Sequence, residues 1–288
     1  MALADLTELG QRLIGARQAL TGVQPKISLE EAPVRRASGA QPTRRLSFIG
    51  GFAGIRGHFI LKPPTDRFPY LPLVEDVTMH LADHCGIVTA KHALIRLNSG
   101  ELSYITRRFD RTKAGKLALE DLAQVTGTLT EYKYRSSMER VGDAIRRYSS
   151  SPGHDAVTFL DILIFCHLTG NADMHLKNFA LLTAADGQIG LSPAYDLVAT
   201  KLLIPHDPEE TALPINGKKT QLRPKDFRVL AERLAIPAIV FDRRLRHFGN
   251  CLKGFSAVIK QSFLPPALQK NMLVLVAARA KSLGLIGA

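Results

Sequence analysis

The sequence predicts an α+β fold with two lobes, a β-rich N-terminal lobe over residues 1–110 and a mainly helical C-terminal lobe over residues 111–288. Short strand-like runs separated by Gly, Pro and Arg-rich turns dominate the first part of the chain. Apolar residues at helical spacing dominate the second part. With 288 residues and 45% hydrophobic content, the chain can bury a sizeable core. This order of elements fits two lobes better than a doubly wound α/β sheet.

The N-terminal part opens with an amphipathic helix predicted over residues 5–20. Three short runs follow, "KISL", "RLSFIG" and "HFILK", and they predict strands of an antiparallel sheet. The segment "LVEDVTMHLADHCG" at 73–86 returns to a helical pattern and ends on Gly86 in the position of a C′ cap. Two further strand-like runs, "HALIRL" and "LSYITRRF", flank "NSG" and predict a hairpin.

Beyond about residue 115 helices dominate the prediction. The predicted helical segments are "LALEDLAQVTG", "SMERVGDAIRRYSS", "HDAVTFLDILIFCHLTG", "PKDFRVLAERLA" and "PALQKNMLVLVAARAKSLG". Residues 178–192 are the exception, because "NFALLT", a turn at "ADGQ" and "IGLS" predict a small hairpin.

Charge and cysteine content narrow the function classes. The formal net charge of +12 indicates a polyanionic partner or a generally cationic surface, and it does not choose among nucleic acid, nucleotide phosphates and an acidic protein. Without Trp, a stacking groove for single strands is weakly supported. Cys85, Cys166 and Cys251 lie among apolar neighbours and predict buried thiols. No long apolar stretch or secretory signal is visible, so we expect a cytoplasmic protein with no membrane partner.

The segment "GNADMHLKNFALL" at 170–182 breaks an apolar run with polar residues. Asp173 and Asn178 are five residues apart, and Asp196 follows in "SPAYDL". Oxygen-bearing side chains of this kind suit Mg²⁺, and Asp-x₄-Asn is the spacing of the protein-kinase catalytic loop, in which the Asp is the base. A helix cap at Gly170 followed by Asx turns explains the short motif equally well.

Other residues could complete a phosphoryl-transfer site. Lys62 ends a strand run, and Glu75 in the next helix could pair with it. Each alone would be a solvated charge, but their order before Asp173 is the order that a kinase needs. His175 could steady a phosphoryl charge or bond to the backbone, and Lys177 is left out of the catalytic set. The stretch "TGVQPKISL" could cover phosphates, whereas "GGFAGIRG" is better read as a hairpin turn, and neither is a Walker A motif.

Six segments together resemble the HipA-like serine/threonine kinases, the toxin halves of bacterial toxin-antitoxin modules. They are "LTGVQPKISL", "FILKPP", "RRFDR", "EDLAQVTG", "GNADMHLKNFALL" and "SPAYDL", and they run from about residue 20 to 200. The resemblance implies a two-lobed protein-kinase-like fold that uses ATP and Mg²⁺.

The resemblance also implies residue roles. Asp173 would be the catalytic base, with His175 beside it, and Asn178 and Asp196 would be the magnesium ligands. Gln124 matches a glutamine of the family's active-site region. The residues that would bind the nucleotide, including the phosphate-covering loop and the adenine hinge, are Gly22, Gln24, Lys26, Lys62, Glu75, Arg107 and Phe109.

The resemblance implies a serine/threonine protein kinase toxin that phosphorylates an aminoacyl-tRNA synthetase and itself. Its partners would be small HipS-like and HipB-like antitoxins, with DNA reached only through a helix-turn-helix antitoxin. About twenty residues precede Gly22, which is similar to the short HipT form of the family. Thr21 is then the candidate site of regulatory autophosphorylation, with Ser28 or no hydroxyl as the alternatives.

Two other functions stay open. A small-molecule kinase is one, although such kinases usually carry His-x-Asp-x₄-Asn, whereas Asn171 and Ala172 precede Asp173 here. The other is a non-catalytic protein that binds a nucleotide or nucleic acid within a toxin-antitoxin complex. That function would need basic clusters that follow a phosphate backbone, and the complete catalytic set argues against it.

Overall fold

The computed structural model describes residues 25–32, 45–48 and 57–287. By its internal contacts the chain divides into two compact units, one formed by Met1–Asp76 and Ala90–Arg111 and the other by Val77–Thr89 and Thr112–Ala288. The helix predicted over residues 5–20 lies outside the described residues. The lobe boundary expected near residue 110 stays a prediction.

The first unit is built on a five-stranded sheet in the order β2-β1-β3-β5-β4, and each neighbouring pair is antiparallel. Its strands are β1 (Ile27–Ala32), β2 (Arg45–Phe48), β3 (Phe59–Lys62), β4 (His92–Arg96) and β5 (Leu102–Arg107). Alternate residues of the strands point into one apolar core because successive side chains face opposite sides of a sheet. That core contains Ile27, Leu29, Leu61, Leu97 and Ile105. The predicted antiparallel sheet and hairpin are confirmed.

Helix α1 (Leu71–His84) ends as its sequence predicts. Gly86 adopts a left-handed conformation with φ of 75°. Its N–H donates to the carbonyl of Asp83, and the N–H of Ile87 donates to the carbonyl of Ala82. This pair of bonds satisfies carbonyls that the helix end would otherwise leave open, as in the Schellman motif.

The second unit is mainly helical. The remaining strands are β6 (Arg111–Thr112), β7 (Gly115–Lys116), β8 (Leu119–Asp121), β9 (Ala180–Thr183) and β10 (Ile189–Leu191). The helices are α2 (Leu122–Val125), α3 (Met138–Tyr148), α4 (Pro152–Thr169), α5 (Thr200–Leu203), α6 (Pro224–Arg233), α7 (Ala238–Gln261) and α8 (Pro266–Ser282). None of the helices within the described ranges is long and apolar enough to cross a membrane.

Helix α4 forms the centre of this unit. From Asp155 to its end nearly every side chain is buried, because apolar residues surround the helix on all sides. Asp155 is itself buried, and its carboxylate accepts hydrogen bonds from the Ser149 hydroxyl at 2.6 Å and from the Leu191 N–H at 2.8 Å. These bonds fix the β9–β10 hairpin beside the start of α4.

Two features differ from the prediction. The segment "LALEDLAQVTG", predicted as one helix, forms strand β8 followed by the four-residue helix α2. Pairing of Leu119–Asp121 with β9 overrides the local helical pattern, and Asp121 caps the short helix. The sequence prediction also omitted α7, although its buried residues Phe241, Phe248 and Cys251 recur at helical spacing.

The three cysteines are buried and free, as predicted. Cys85 follows α1, Cys166 lies in α4 and Cys251 lies in α7. Burial is the main cause that raises the pKa of each thiol. These cysteines are therefore neutral packing groups of the second unit.

Candidate active site

The polar loop at 170–178 begins where α4 ends. Gly170 adopts a left-handed conformation with φ of 70°. A Cβ there would lie 2.9 Å from a methyl group of Leu275 and 3.0 Å from Cβ of Lys201, so a side chain does not fit. The N–H of Asn171 donates to the Cys166 carbonyl at 2.8 Å and completes the cap. The loop therefore starts from the well-ordered, capped end of a buried helix.

Side chains hold the backbone of this loop. The Ala172 N–H donates to the Thr200 hydroxyl at 2.8 Å, and the Asp173 N–H donates to the Asn171 side-chain oxygen at 3.1 Å. The Asn178 amide donates to the Asp173 carbonyl at 2.9 Å. The helix cap and the Asx turn are thus present, and they orient Asp173 so that its side chain is exposed.

The exposed Asp173 carboxylate accepts a hydrogen bond from the Tyr134 hydroxyl at 2.8 Å. Burial, together with the negative charge of Asp173 and this hydrogen bond, raises the pKa of Tyr134 well above its usual value, so the phenol stays neutral. No sequence pattern singles out Tyr134. It lies 39 residues before Asp173, and no spacing rule joins the two.

His175 is buried, and its ring packs edge-on against Tyr134 with centroids 5.0 Å apart. Burial lowers the pKa of His175, the charge of Lys133 adds to the lowering, and the charges of Asp173 and Asp196 oppose it. Its Nδ1 atom has no hydrogen-bond partner within the part of the chain that the structure describes. The imidazole is therefore neutral at pH 7 and can donate a hydrogen bond without adding a positive charge.

Asn178 lies in a short 3₁₀ turn and is buried. Because its amide nitrogen donates to the Asp173 carbonyl, the side-chain oxygen is the atom that could bind a cation. Asp196 follows β10 and adopts a left-handed backbone conformation with φ of 59°. Asp tolerates this conformation better than most residues, and strain of this kind is frequent at functional sites.

A link between the two segments comes from Tyr195. Its hydroxyl donates to the Lys177 carbonyl at 2.8 Å and so joins the loop to the segment that carries Asp196. Asp173, Asn178 and Asp196 supply the oxygen ligands that Mg²⁺ prefers, so the residues fit this cation. The Asn178–Asp173 and Tyr195–Lys177 hydrogen bonds bring the loop and the segment of Asp196 together within the second unit, and the charges of Asp173 and Asp196 both act on the pKa of His175.

Two nearby residues have structural partners. The Lys177 ammonium pairs with the Asp121 carboxylate at 2.7 Å, which agrees with its omission from the predicted catalytic set. The side chain of Gln124 accepts from the Asp121 N–H at 2.9 Å in a capping box. The contacts of Gln124 are thus those of a helix cap, and they add no support for an active-site role of this residue.

In the first unit, Lys62 and Glu75 form a buried ion pair. The Lys62 Nζ lies 2.5 Å from a Glu75 carboxylate oxygen, and the side chains are 5% and 1% exposed. Lys62 also lies over the ring of Tyr104, its partner on β5, at 5.4 Å from the centroid. The pairing expected from the sequence is therefore present. A nucleotide role of Lys62 stays a prediction.

The remaining candidates are peripheral to these contacts. Arg107 ends β5 with an exposed side chain, and Phe109 is half-buried. Between Phe109 and Arg111, burial would raise the pKa of Asp110, but hydrogen bonds and charge from its two arginine neighbours hold that pKa below its usual value. Lys26 is exposed just before β1. The candidates that lie outside the described residues are Thr21, Gly22 and Gln24.

Comparison with known sequences agrees with the resemblance. The family model described as HipA-like C-terminal domain matches residues 18–254. A protein of Sinorhizobium fredii named "Putative kinase Y4dM" is 32% identical over 179 residues, which cover 58% of this chain and 43% of that protein. A second, "Putative kinase Y4mE", is 31% identical over 242 residues, covering 68% of this chain and 57% of that protein. The chain thus spans about half the length of the curated relatives it matches.

Comparison with solved structures supports the fold. The HipA chain of a Shewanella oneidensis toxin-antitoxin complex of HipA, HipB and operator DNA matches with a TM-score of 0.75 at 21% identity, covering 93% of this chain and 66% of that one. The Helicobacter pylori proinflammatory kinase CtkA matches with a TM-score of 0.56 at 17% identity, covering 78% of this chain and 87% of that one. The fold is therefore α+β and protein-kinase-like.

Proposed function

This chain belongs to the family of HipA-like C-terminal domains, and we propose that it is an ATP-dependent serine/threonine protein kinase. One observation carries the proposal. A loop whose backbone is held by the side chains of Asn171, Asn178 and Thr200 presents an exposed Asp173 carboxylate, and the Tyr195–Lys177 hydrogen bond joins this loop to the segment that carries Asp196. This is the division of groups that phosphoryl transfer to a hydroxyl requires.

Asp173 is the catalytic base in this proposal. Its carboxylate binds the acceptor hydroxyl and orients the oxygen. It takes up the proton as that oxygen bonds to the γ-phosphorus of ATP, while the bond from this phosphorus to the bridging oxygen breaks and ADP leaves. Asn178 and Asp196 would hold Mg²⁺ through their oxygens, and the bound ion would neutralise part of the phosphate charge. His175, a neutral donor at the same place, would hydrogen-bond a phosphoryl oxygen.

The nucleotide role falls to residues 1–110 and the catalytic role to residues 111–288. Lys62 would bind nucleotide phosphates, with Glu75 fixing the position of its ammonium group. Arg107 and Phe109 would receive the adenine. The segment with Gly22, Gln24 and Lys26 would cover the phosphates.

The target and partners are a further part of the proposal. An aminoacyl-tRNA synthetase would be the phosphorylated protein, and small HipS-like and HipB-like antitoxins would bind the kinase. The net charge of +12 is compatible with an acidic protein surface, and the HipA neighbour was solved with HipB and operator DNA. Autophosphorylation would fall on Thr21.

Intact-mass measurement after incubation with Mg²⁺ and ATP tests the activity. We expect a phosphate-sized increment in the unaltered chain, and we expect Asp173→Asn and Asp196→Asn to lower the rate by about 10²-fold or more. Asp186→Asn is the matched control because Asp186 is an exposed carboxylate on the turn of the β9–β10 hairpin, which lies between Asp173 and Asp196 in the sequence. We expect it to keep the full rate.

A mass increment of equal size in the Asp173 and Asp196 variants would contradict the proposed roles. Thermal unfolding of each variant separates loss of activity from loss of fold. Added serine-containing and threonine-containing peptides then test the acceptor class, since a small-molecule kinase would leave them unmodified.

A further inference from the structure

The position that an acceptor hydroxyl would need is already filled. A base accepts a proton from the hydroxyl to which it is hydrogen-bonded, so the acceptor belongs at the Asp173 carboxylate. In the structure the Tyr134 hydroxyl makes that bond, at 2.8 Å from Oδ1 of Asp173. The Tyr134 side chain therefore stands where a substrate hydroxyl would stand.

Tyr134 is held there by its ring as well as by its hydroxyl. The ring packs edge-on against His175, with centroids 5.0 Å apart and planes at 81°. The Lys133 ammonium lies over the same ring at 5.0 Å from its centroid. Asp173, His175 and Lys133 all contact the Tyr134 side chain, so several interactions fix its position at the loop.

The segment that carries Tyr134 can nevertheless be displaced. Tyr134 is 45% exposed, and its neighbours Leu129 and Tyr132 are 61% and 39% exposed. The backbone of this segment meets the catalytic loop backbone in a long hydrogen bond, from the Leu176 N–H to the Lys133 carbonyl at 3.3 Å. A weakly packed, exposed segment opens at low free-energy cost.

Building on the proposed kinase function, we propose that Tyr134 determines acceptor specificity by occupying the acceptor position. The Asp173 carboxylate is exposed, but the Tyr134 hydroxyl occupies the position on its Oδ1 atom that an attacking water would need, so that bound ATP is not hydrolysed. Transfer then requires a protein acceptor that displaces the Tyr134 hydroxyl and bonds to Asp173 in its place. Tyr134 is a block against water and is not itself phosphorylated.

The Tyr134→Phe variant tests this directly, because it keeps the ring on His175 and removes only the oxygen at Asp173. Water can enter the vacated position. We expect ATP hydrolysis, measured as inorganic phosphate released with Mg²⁺ and ATP alone, to rise about tenfold or more, since a hydrogen bond to a charged group no longer competes with water. The KM for ATP should not change.

Tyr132→Phe is the matched control. Tyr132 is an exposed tyrosine of the same segment, and its ring contacts the Arg135 guanidinium at 4.4 Å from the centroid. We expect its hydrolysis rate to equal that of the unaltered chain. The double variant Tyr134→Phe with Asp173→Asn should lose the gained hydrolysis, because the entering water needs the base.

Three results would overturn the inference. Hydrolysis by Tyr134→Phe that is equal to or below that of the unaltered chain would make Tyr134 a positioning residue for Asp173. Phosphate mapped to Tyr134 would make it a substrate. Absence of both ATP hydrolysis and phosphate transfer in the unaltered chain and in every variant would overturn the kinase function as well. If transfer depends on Asp173 but Tyr134→Phe shows no rise in ATP hydrolysis, only the inference about Tyr134 is overturned.

Discussion

The loop at 170–178 and the Lys62–Glu75 pair use polar side chains in opposite ways. The side chains of Asn171 and Asn178 in the loop, and of Thr200 outside it, bind backbone groups of the loop, and the Asp173 carboxylate is left exposed. In the first unit, Lys62 and Glu75 bind each other and are almost fully buried. Polar side chains hold the backbone in place at the loop, whereas in the first unit they hold a charged ammonium group in place.

This difference separates reactivity from stability. An exposed carboxylate on a rigid loop can be exchanged with little effect on folding, even where it carries the chemistry proposed for Asp173. Removing one partner of a buried ion pair lowers the stability of the fold strongly, because the remaining charge is buried without its partner and without water. Substitutions in the two regions should therefore fail in different assays.

The largest stability effect is expected at Glu75. Glu75→Ala leaves the Lys62 ammonium buried without its carboxylate, and we expect a loss of about 3–5 kcal/mol in the free energy of unfolding, measured by urea denaturation. Replacing both partners with Lys62→Met and Glu75→Leu should restore most of it, since an apolar pair leaves no buried charge. Asp173→Ala should leave the midpoint nearly unchanged, and equal losses for Glu75→Ala and Asp173→Ala would break the comparison.

A smaller effect concerns pH and the helix that carries the loop. Burial lowers the pKa of His167 in α4 to about 4, and the positive charge of Arg279 adds to this lowering. As pH falls below the usual histidine pKa of about 6.5, the unfolded chain binds a proton that the folded chain refuses, so stability is lost between about pH 6.5 and pH 4. At pH 5 the loss is about 2 kcal/mol.

Replacement of this histidine isolates its share of the pH effect. His167→Gln removes the titrating group and keeps a donor for the Ser282 hydroxyl, which lies 3.0 Å from Nε2 of His167. Urea unfolding at pH 7 and pH 5 should therefore show a smaller drop for His167→Gln than for the unaltered chain. An identical drop would exclude His167 as the cause.

The smallest stability effect is expected at the tether of the loop, the hydrogen bond from the Ala172 N–H to the Thr200 hydroxyl. Thr200→Val removes the acceptor of the Ala172 N–H and should cost about 1 kcal/mol, while also lowering the phosphate-transfer rate, because Asp173 loses part of its support. Thr158→Val is the control, since the Thr158 hydroxyl bonds only to the His154 carbonyl of its own helix at 3.2 Å among the described residues. A rate change as large in the control would show that the tether is not specific to the loop.

Local signals made most of the fold predictable. Gly86 and Gly170 mark helix ends because each adopts a left-handed conformation that other residues resist. The turn after β9 and the alternation in β1 also follow from neighbours in the sequence. The helix predicted over residues 117–127 was wrong because the pairing of β8 with β9 is a contact between residues that are distant in the sequence.

The candidate site was predictable only in part. The order of Lys62, Asp173, Asn178 and Asp196 along the chain pointed to phosphoryl transfer before their geometry was known. Neither Tyr134 nor Thr200 carries a signal of this kind, because each reaches the loop through folding of distant segments. Their roles depend on contacts that spacing does not encode.

The bond between Tyr134 and Asp173 also gives the molecule an optical reporter. The chain has six tyrosines and no tryptophan, so its ultraviolet emission comes from phenol rings. A carboxylate that accepts a phenol proton quenches that emission, and Tyr134 is hydrogen-bonded to one. When an acceptor displaces the phenol, Tyr134 is released from the quencher, so brightening of tyrosine fluorescence can follow acceptor binding without any added label.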